Sequence, residues 1–141
     1  MKQKIVWTAT AAFCMSFWGG AALAQDDAKD NKTAMVVVKD VENMEIAPWG
    51  DDIPAYFEDV VETYSETAPM TCALFRMEKG TPLVYEYDYD DVKIILEGSM
   101  TLEDGEKTIN ATKGDVIYIP NGATIKFTSD DYGVGWACGQ R

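Results

Sequence analysis

Tyr85-Glu-Tyr87-Asp-Tyr-Asp-Asp91-Val-Lys93-Ile-Ile-Leu-Glu97-Gly98 and, sixteen residues further on, Gly114-Asp-Val-Ile-Tyr-Ile-Pro120-Asn-Gly122 are the two stretches on which the fold turns. Both hold short runs, rich in the β-branched and aromatic residues that suit strands, with turn signals between them. Side chains alternate along a strand, so Leu83, Tyr85 and Tyr87 share one face, and beyond the local turn Asp91, Lys93 and Ile95 share another. Gly98, Gly105, Gly114 and Gly122 lie between such segments, where a tight turn often needs a positive φ that glycine adopts at little cost.

Working outward, the same pattern predicts strands at Thr71 to Glu78, Leu83 to Tyr89, Val92 to Leu96, Ser99 to Leu102, Glu106 to Ala111, Asp115 to Ile119, Thr124 to Thr128 and Gly133 to Cys138. A polar turn at Glu103-Asp104-Gly105 separates the fourth from the fifth. Many short strands at this spacing predict an all-β sandwich or barrel over residues 70–141, without a solenoid repeat. Upstream, Met35-Val-Val-Val-Lys-Asp reads as an N-terminal strand. Glu42 to Pro69, broken by Pro48, Gly50 and Pro54, reads as an irregular covering segment with a turn or two of helix at Tyr56 to Tyr64. Trp49, Tyr56, Phe57 and Tyr64 are expected to anchor that segment by packing, with ligand stacking as the other reading.

The chain has 141 residues, enough for one domain with one core. Lys2 and Lys4 precede an apolar run from Ile5 to about Trp18, and Ala22-Leu23-Ala24 offers the small-x-small pattern cut by a signal peptidase, so residues 1–24 read as a secretory signal peptide. Residues 25–34 are polar, without apolar period, and read as a flexible lead-in. Export would leave a periplasmic or secreted protein starting at Gln25. Losing Lys2 and Lys4 leaves ten basic against 24 acidic residues, a net charge of −14 instead of −12. That charge argues against nucleic acid and anionic membrane surfaces as partners. Cys72 and Cys138 remain, in a compartment where a disulfide can persist; whether they bridge depends on a Cα separation below about 7 Å. There is no histidine in the chain, which removes Ser-His and Cys-His triads.

The two quoted stretches resemble the two motifs of the cupin superfamily. In the first, two ligands one residue apart are followed four positions later by an acid and seven later by glycine, as at Tyr85, Tyr87, Asp91 and Gly98. In the second, a glycine, five residues and Pro-x-Gly match Gly114 to Gly122. The run of apolar residues, Leu96-Glu97-Gly98, Gly114-Asp115 and Ile119-Pro120-x-Gly122 is most similar to the ethanolamine-utilisation, EutQ-like cupins, over about residues 70–140. The resemblance implies a single jelly-roll β-barrel and a homodimer. It also implies a metal held by His, His, Glu and His, and here the chain departs: the matching positions are Tyr85, Tyr87, Asp91 and Ile125. Imidazole suits transition metals, whereas phenol binds poorly until it loses a proton of pKa about 10. No metal or other cofactor is therefore expected, and a metal, if held, would rest on Tyr85, Tyr87 and Asp91.

In the cupin register the interior would hold Tyr85, Tyr87, Asp91 and Lys93 among Ile117, Ile125 and Phe127. The leading expectation is an exported, metal-free barrel binding a small polar molecule through Tyr85, Tyr87, Asp91, Lys93 and Ile125. A second is a metal-independent lyase, isomerase or hydrolase using Asp91 and Lys93 as acid and base. A third is a structural homodimer. Lys93 has a further alternative, reaching the barrel mouth and staying solvated. The acidic run Glu86 to Asp91 does not read as a calcium cage, because alternation sends neighbouring carboxylates to opposite faces. Kinase activity is disfavoured by the lack of a Gly-x-x-x-x-Gly-Lys loop.

Overall fold

Each apolar run resolves into a strand whose alternate residues enter one shared core. The computed structural model describes residues 35–63 and 65–141; the expected signal peptide (1–24), the lead-in (25–34) and Tyr64 lie outside the described residues. Val37–Arg141 make one compact unit. It holds β1 (Ala55–Glu62), β2 (Thr71–Glu78), β3 (Leu83–Glu86), β4 (Asp91–Glu103), β5 (Thr108–Thr112), β6 (Val116–Ile119), β7 (Thr124–Thr128) and β8 (Tyr132–Gly139), after a single 3-10 turn at Val41–Asn43.

All ladders are antiparallel, and the order β1-β2-β8-β4-β7-β3 curls into the expected cupin barrel, with β5 and β6 also on β4. β4 is the common member. Asp91 to Gly98 pair with β8, and Asp91 to Ile94 also with β6; Ser99 to Glu103 pair with β5. The two strands expected at Val92 to Leu96 and Ser99 to Leu102 are thus one, bent at Gly98. Gly98 has φ +64, the left-handed region, and any Cβ there would collide with the Tyr132 carbonyl oxygen.

Two expectations for the N-terminal part are corrected. Met35 to Asp40 form no strand. Met35 is 99% exposed, and Asp40, at φ +59, turns the chain into the 3-10 turn, where its carboxylate accepts from Asn43 Nδ2 at 2.6 Å. A strand is stable only with a ladder partner, and the free edge of β2 is taken by another segment. That segment is Ala55–Glu62, expected in part as helix and found as β1, registered Ala55↔Met77 to Glu62↔Thr71. Tyr56, Phe57, Val60 and Val61 favour a pleated surface, and the open edge of β2 supplies the hydrogen bonds.

The core between the sheets is built from Phe75, Met77, Leu83, Ile95, Met100, Leu102, Ile117, Ile119, Ile125 and Phe127. β8 turns its smallest residues inward: Gly135 faces Ile95, Ala137 faces Lys93 and Gly139 faces Asp91. Space is thereby left beside the two charged residues of β4. On the outer face, Cys72 and Cys138 are direct cross-strand partners, 4.1 Å apart at Cα, and are joined by a disulfide.

Candidate functional site

One end of the barrel interior is not filled. A cavity of about 80 Å³ lies among Trp49, Phe57, Phe75, Leu83, Tyr85, Tyr87, Tyr89, Lys93, Phe127 and Arg141. Alternation along β3 and β4 aims Leu83, Tyr85 and Lys93 into it. Tyr87, one residue past β3, is held by its own backbone, whose N–H donates to the Ala123 carbonyl at 2.8 Å and whose carbonyl accepts from Gly122 N–H at 2.7 Å. The phenols form a chain of edge contacts, with ring centroids 4.8 Å apart for Tyr85 and Tyr87 and 5.5 Å for Tyr87 and Tyr89. Trp49 closes the stack against Tyr85 at 5.5 Å and Phe57 at 5.6 Å.

Lys93 and Asp91 form an ion pair, Nζ to Oδ2 2.6 Å. Both are almost fully buried, at 4% and 2% exposure, which corrects the alternative of a solvated Lys93. Burial lowers the Lys93 ammonium below its ordinary range, and the adjacent Asp91 charge offsets part of that. The rings of Phe75 and Tyr87, each 5.6 Å from Nζ, add cation–π attraction. Burial pushes the Tyr87 phenol well above its usual value, with the neighbouring Asp91 charge and their hydrogen bond adding to it. Tyr89 rises for the same first reason, followed by a hydrogen bond with Tyr85.

Among the expected site residues, Tyr85, Tyr87 and Lys93 come together on the cavity wall. Asp91 stands behind Lys93 and lines a void of about 10 Å³ with Tyr89 and Arg141. Ile125 is buried opposite Tyr85, in the core and off the cavity wall. Trp49 and Phe57, expected as packing anchors, pack against each other and also wall the cavity. Tyr89 and Arg141 were not expected there. Tyr89 continues the every-second-residue pattern of Leu83, Tyr85 and Tyr87, a signal that could have found it. Arg141 carries no such signal.

Cupin resemblance implies a metal, and the donor set does not fit a transition ion. Ile125 has no donor atom. The raised Tyr87 pKa opposes formation of tyrosinate, and the Asp91 carboxylate is already held by an ammonium whose charge repels a cation. Among the described residues no three His, Cys, Asp or Glu side chains converge.

What distinguishes the cavity wall is the sign of the side chains that line it. In a chain with 24 acidic and 12 basic residues, the cavity wall carries two cations, Lys93 and Arg141, and no carboxylate. A larger groove of about 670 Å³ on the outside of the sheet, between Glu42, Met44 and Ile46 and the strands, is lined by Glu78 and Glu97 together with Arg76 and Lys113. It shows no such bias.

The family model for the ethanolamine utilisation protein EutQ matches residues 23–134. A curated relative, the acetate kinase EutQ of Clostridioides difficile, is 27% identical over 70 residues, which are 50% of this chain and 44% of that protein. The chain thus spans less than half the length of that relative. Among solved structures, the Clostridium difficile EutQ protein superposes with a TM-score of 0.54 at 21% identity, covering 61% of each chain. The Schizosaccharomyces pombe Cnp3 cupin domain superposes at 0.61 and 14% identity, covering 75% of this chain and 70% of that one. At these identities the likeness is one of fold.

Proposed function

We propose, for a chain that belongs to the EutQ family of ethanolamine utilisation proteins, that the barrel binds a small polar molecule and that this molecule is an organic anion. The observation that carries the reading is the cavity wall with Lys93, Arg141 and three phenol groups but no acid. Its volume of about 80 Å³ is far below the ~300–1,000 Å³ of pockets for drug-sized ligands. A ligand of a few heavy atoms suits it and a nucleotide does not. The C. difficile relative is named an acetate kinase, and a carboxylate of that size matches the cavity. The same volume speaks against phosphoryl transfer from a nucleotide inside this barrel.

No metal or cofactor enters this reading. Lys93, while keeping Asp91 as its counter-ion, supplies N–H donors, the phenols supply O–H donors, and Phe75, Leu83 and Phe127 exclude water around the short apolar part of the ligand. Export, with Gln25 as the first mature residue, is part of the proposal; the Cys72–Cys138 disulfide supports it. Assembly into a homodimer is also proposed. Val61, Val92 and Tyr118 are exposed on the outer face and follow one another across the ladders through the disulfide, which leaves an apolar row for a second copy to cover. Light scattering on the purified chain tests it, and a monomer mass removes it.

The test of binding is calorimetric titration of the chain with acetate. Saturable binding is expected in the wild type, with loss in Lys93→Met and a weaker but measurable affinity in Tyr85→Phe. A wild-type chain that shows no saturable heat would sink the reading. The second reading, acid–base catalysis by Asp91 and Lys93, is favoured by the lowered Lys93 pKa. It requires turnover of a bound ligand, which the same samples show by NMR over time.

A further inference from the structure

Arg141 lies at the rim of the cavity, remote in sequence from both motifs, and its surroundings are unlike those of a surface arginine. Its main-chain oxygen accepts from the Thr71 hydroxyl at 2.9 Å, and the preceding Gln140 N–H donates to the Asp90 carbonyl at 3.1 Å. The backbone is thus pinned beside the barrel mouth. From there the guanidinium reaches over Phe57, 5.2 Å from the ring centroid, and lies 5.9 Å from that of Tyr89. It makes a two-pronged contact with Asp59, the second prong at 3.4 Å. Asp59 stands where the β1–β2 register shifts, between Asp59 and Val61, a local irregularity of the kind that re-aims a side chain. Two cation–carboxylate pairs are therefore found along one cavity: Lys93 with Asp91 fully buried, and Arg141 with Asp59 about one-third exposed at the rim.

We infer that Arg141 is the residue that selects the ligand by charge, exchanging its rim partner Asp59 for the carboxylate of the incoming molecule. This rests on the anion-binding reading above. The buried pair cannot play that part, because withdrawing Asp91 from Lys93 would leave a charge uncompensated inside the barrel. The rim pair is partly hydrated, so its exchange costs little, and the planar guanidinium can take a carboxylate through two parallel N–H donors as it now takes Asp59. Cation–π attraction to Phe57 and Tyr89 keeps the guanidinium at the rim while the partner changes.

The experiment is calorimetry on the full chain with two isosteric probes, propanoate and neutral propanamide, in wild type, Arg141→Gln, Arg141→Lys and Asp59→Asn. The readout is the ratio of propanoate to propanamide affinity. Arg141→Gln is expected to lower that ratio by about tenfold or more, the worth of a charge-assisted pair. Arg141→Lys should recover part of it, and Asp59→Asn, by freeing the guanidinium, should raise propanoate affinity. An arginine that only clamps β1 to the barrel rim would lower the melting temperature and leave the ratio unchanged in all three variants, and that outcome overturns the inference. If wild type takes both probes equally, the inference and the organic-anion part of the reading fail while binding of a small polar molecule survives. If it takes neither, the cavity reading fails and the inference with it.

Discussion

Asp91 and Lys93 put opposite charges 2.6 Å apart inside an otherwise apolar barrel, an arrangement stable only as a pair. Removing one partner is expected to cost about 3–5 kcal/mol, whereas removing both in favour of apolar residues of similar size costs less. Urea denaturation of Asp91→Leu, Lys93→Met and the double variant should therefore show the double variant more stable than either single one. The phenols make a second prediction. Tyr87 has its pKa raised above the ordinary 10.0, so above pH 10 the unfolded chain releases a proton that the native chain keeps. Stability contributed by this group is whole below pH 10 and falls as pH rises beyond it. Absorbance titration at 295 nm should show Tyr87 silent until the protein unfolds, and Tyr87→Phe should leave the native titration curve unchanged. That Tyr85 shares a face with Tyr87, and Asp91 with Lys93, was legible in the sequence, because alternation along a strand needs only local geometry; that Lys93 is buried was not. Nor was Arg141, since nothing near it in sequence marks it as facing the same space.

At the scale of elements, β4 carries the fold, and its bend at Gly98 is where the strand passes from one side of the barrel to the other. Gly98→Ala must occupy φ +64 and meet the Tyr132 carbonyl, so a loss of more than about 2 kcal/mol is expected in chemical denaturation. The glycine could be read from sequence as a positive-φ position; that it bends one continuous strand could not. The disulfide belongs to this scale as well. Cys72 and Cys138 are 66 residues apart in sequence and tie β2 to β8, so replacing both with alanine should lower stability by about 2–5 kcal/mol in the same assay. β1 shows where local reading stops. Its aromatic and β-branched residues fit a strand, yet the choice between strand and helix was made by the open edge of β2.

For the molecule as a whole, acidity and cavity charge point in opposite directions. A chain that would carry −14 after loss of residues 1–24 repels anions at long range, a field screened beyond about 8 Å at physiological salt. In the anion-binding proposal, the two cations on the cavity wall, Lys93 and Arg141, act at short range, inside that screening distance. If residues 1–24 are removed on export, mass spectrometry of protein recovered from the periplasm or medium should give a first residue of Gln25, and thiol titration without reductant should find no free cysteine. A mature chain beginning at Met1 would remove the export proposal.

The sequence by itself determined the strand pattern from Thr71 onward, the glycine positions, the cupin motifs with their missing histidines, and the shared faces of Tyr85 with Tyr87 and of Asp91 with Lys93. Each depends on side-chain period and backbone sterics over a few residues. Only the tertiary structure decided that Lys93 is buried, that Ala55–Glu62 is a strand, that Cys72 faces Cys138, and that Trp49, Phe57, Tyr89 and Arg141 meet around one cavity. These depend on which strand edges pair across long stretches of chain. Pairing is a property of the whole curled sheet, in which strands distant in sequence become neighbours.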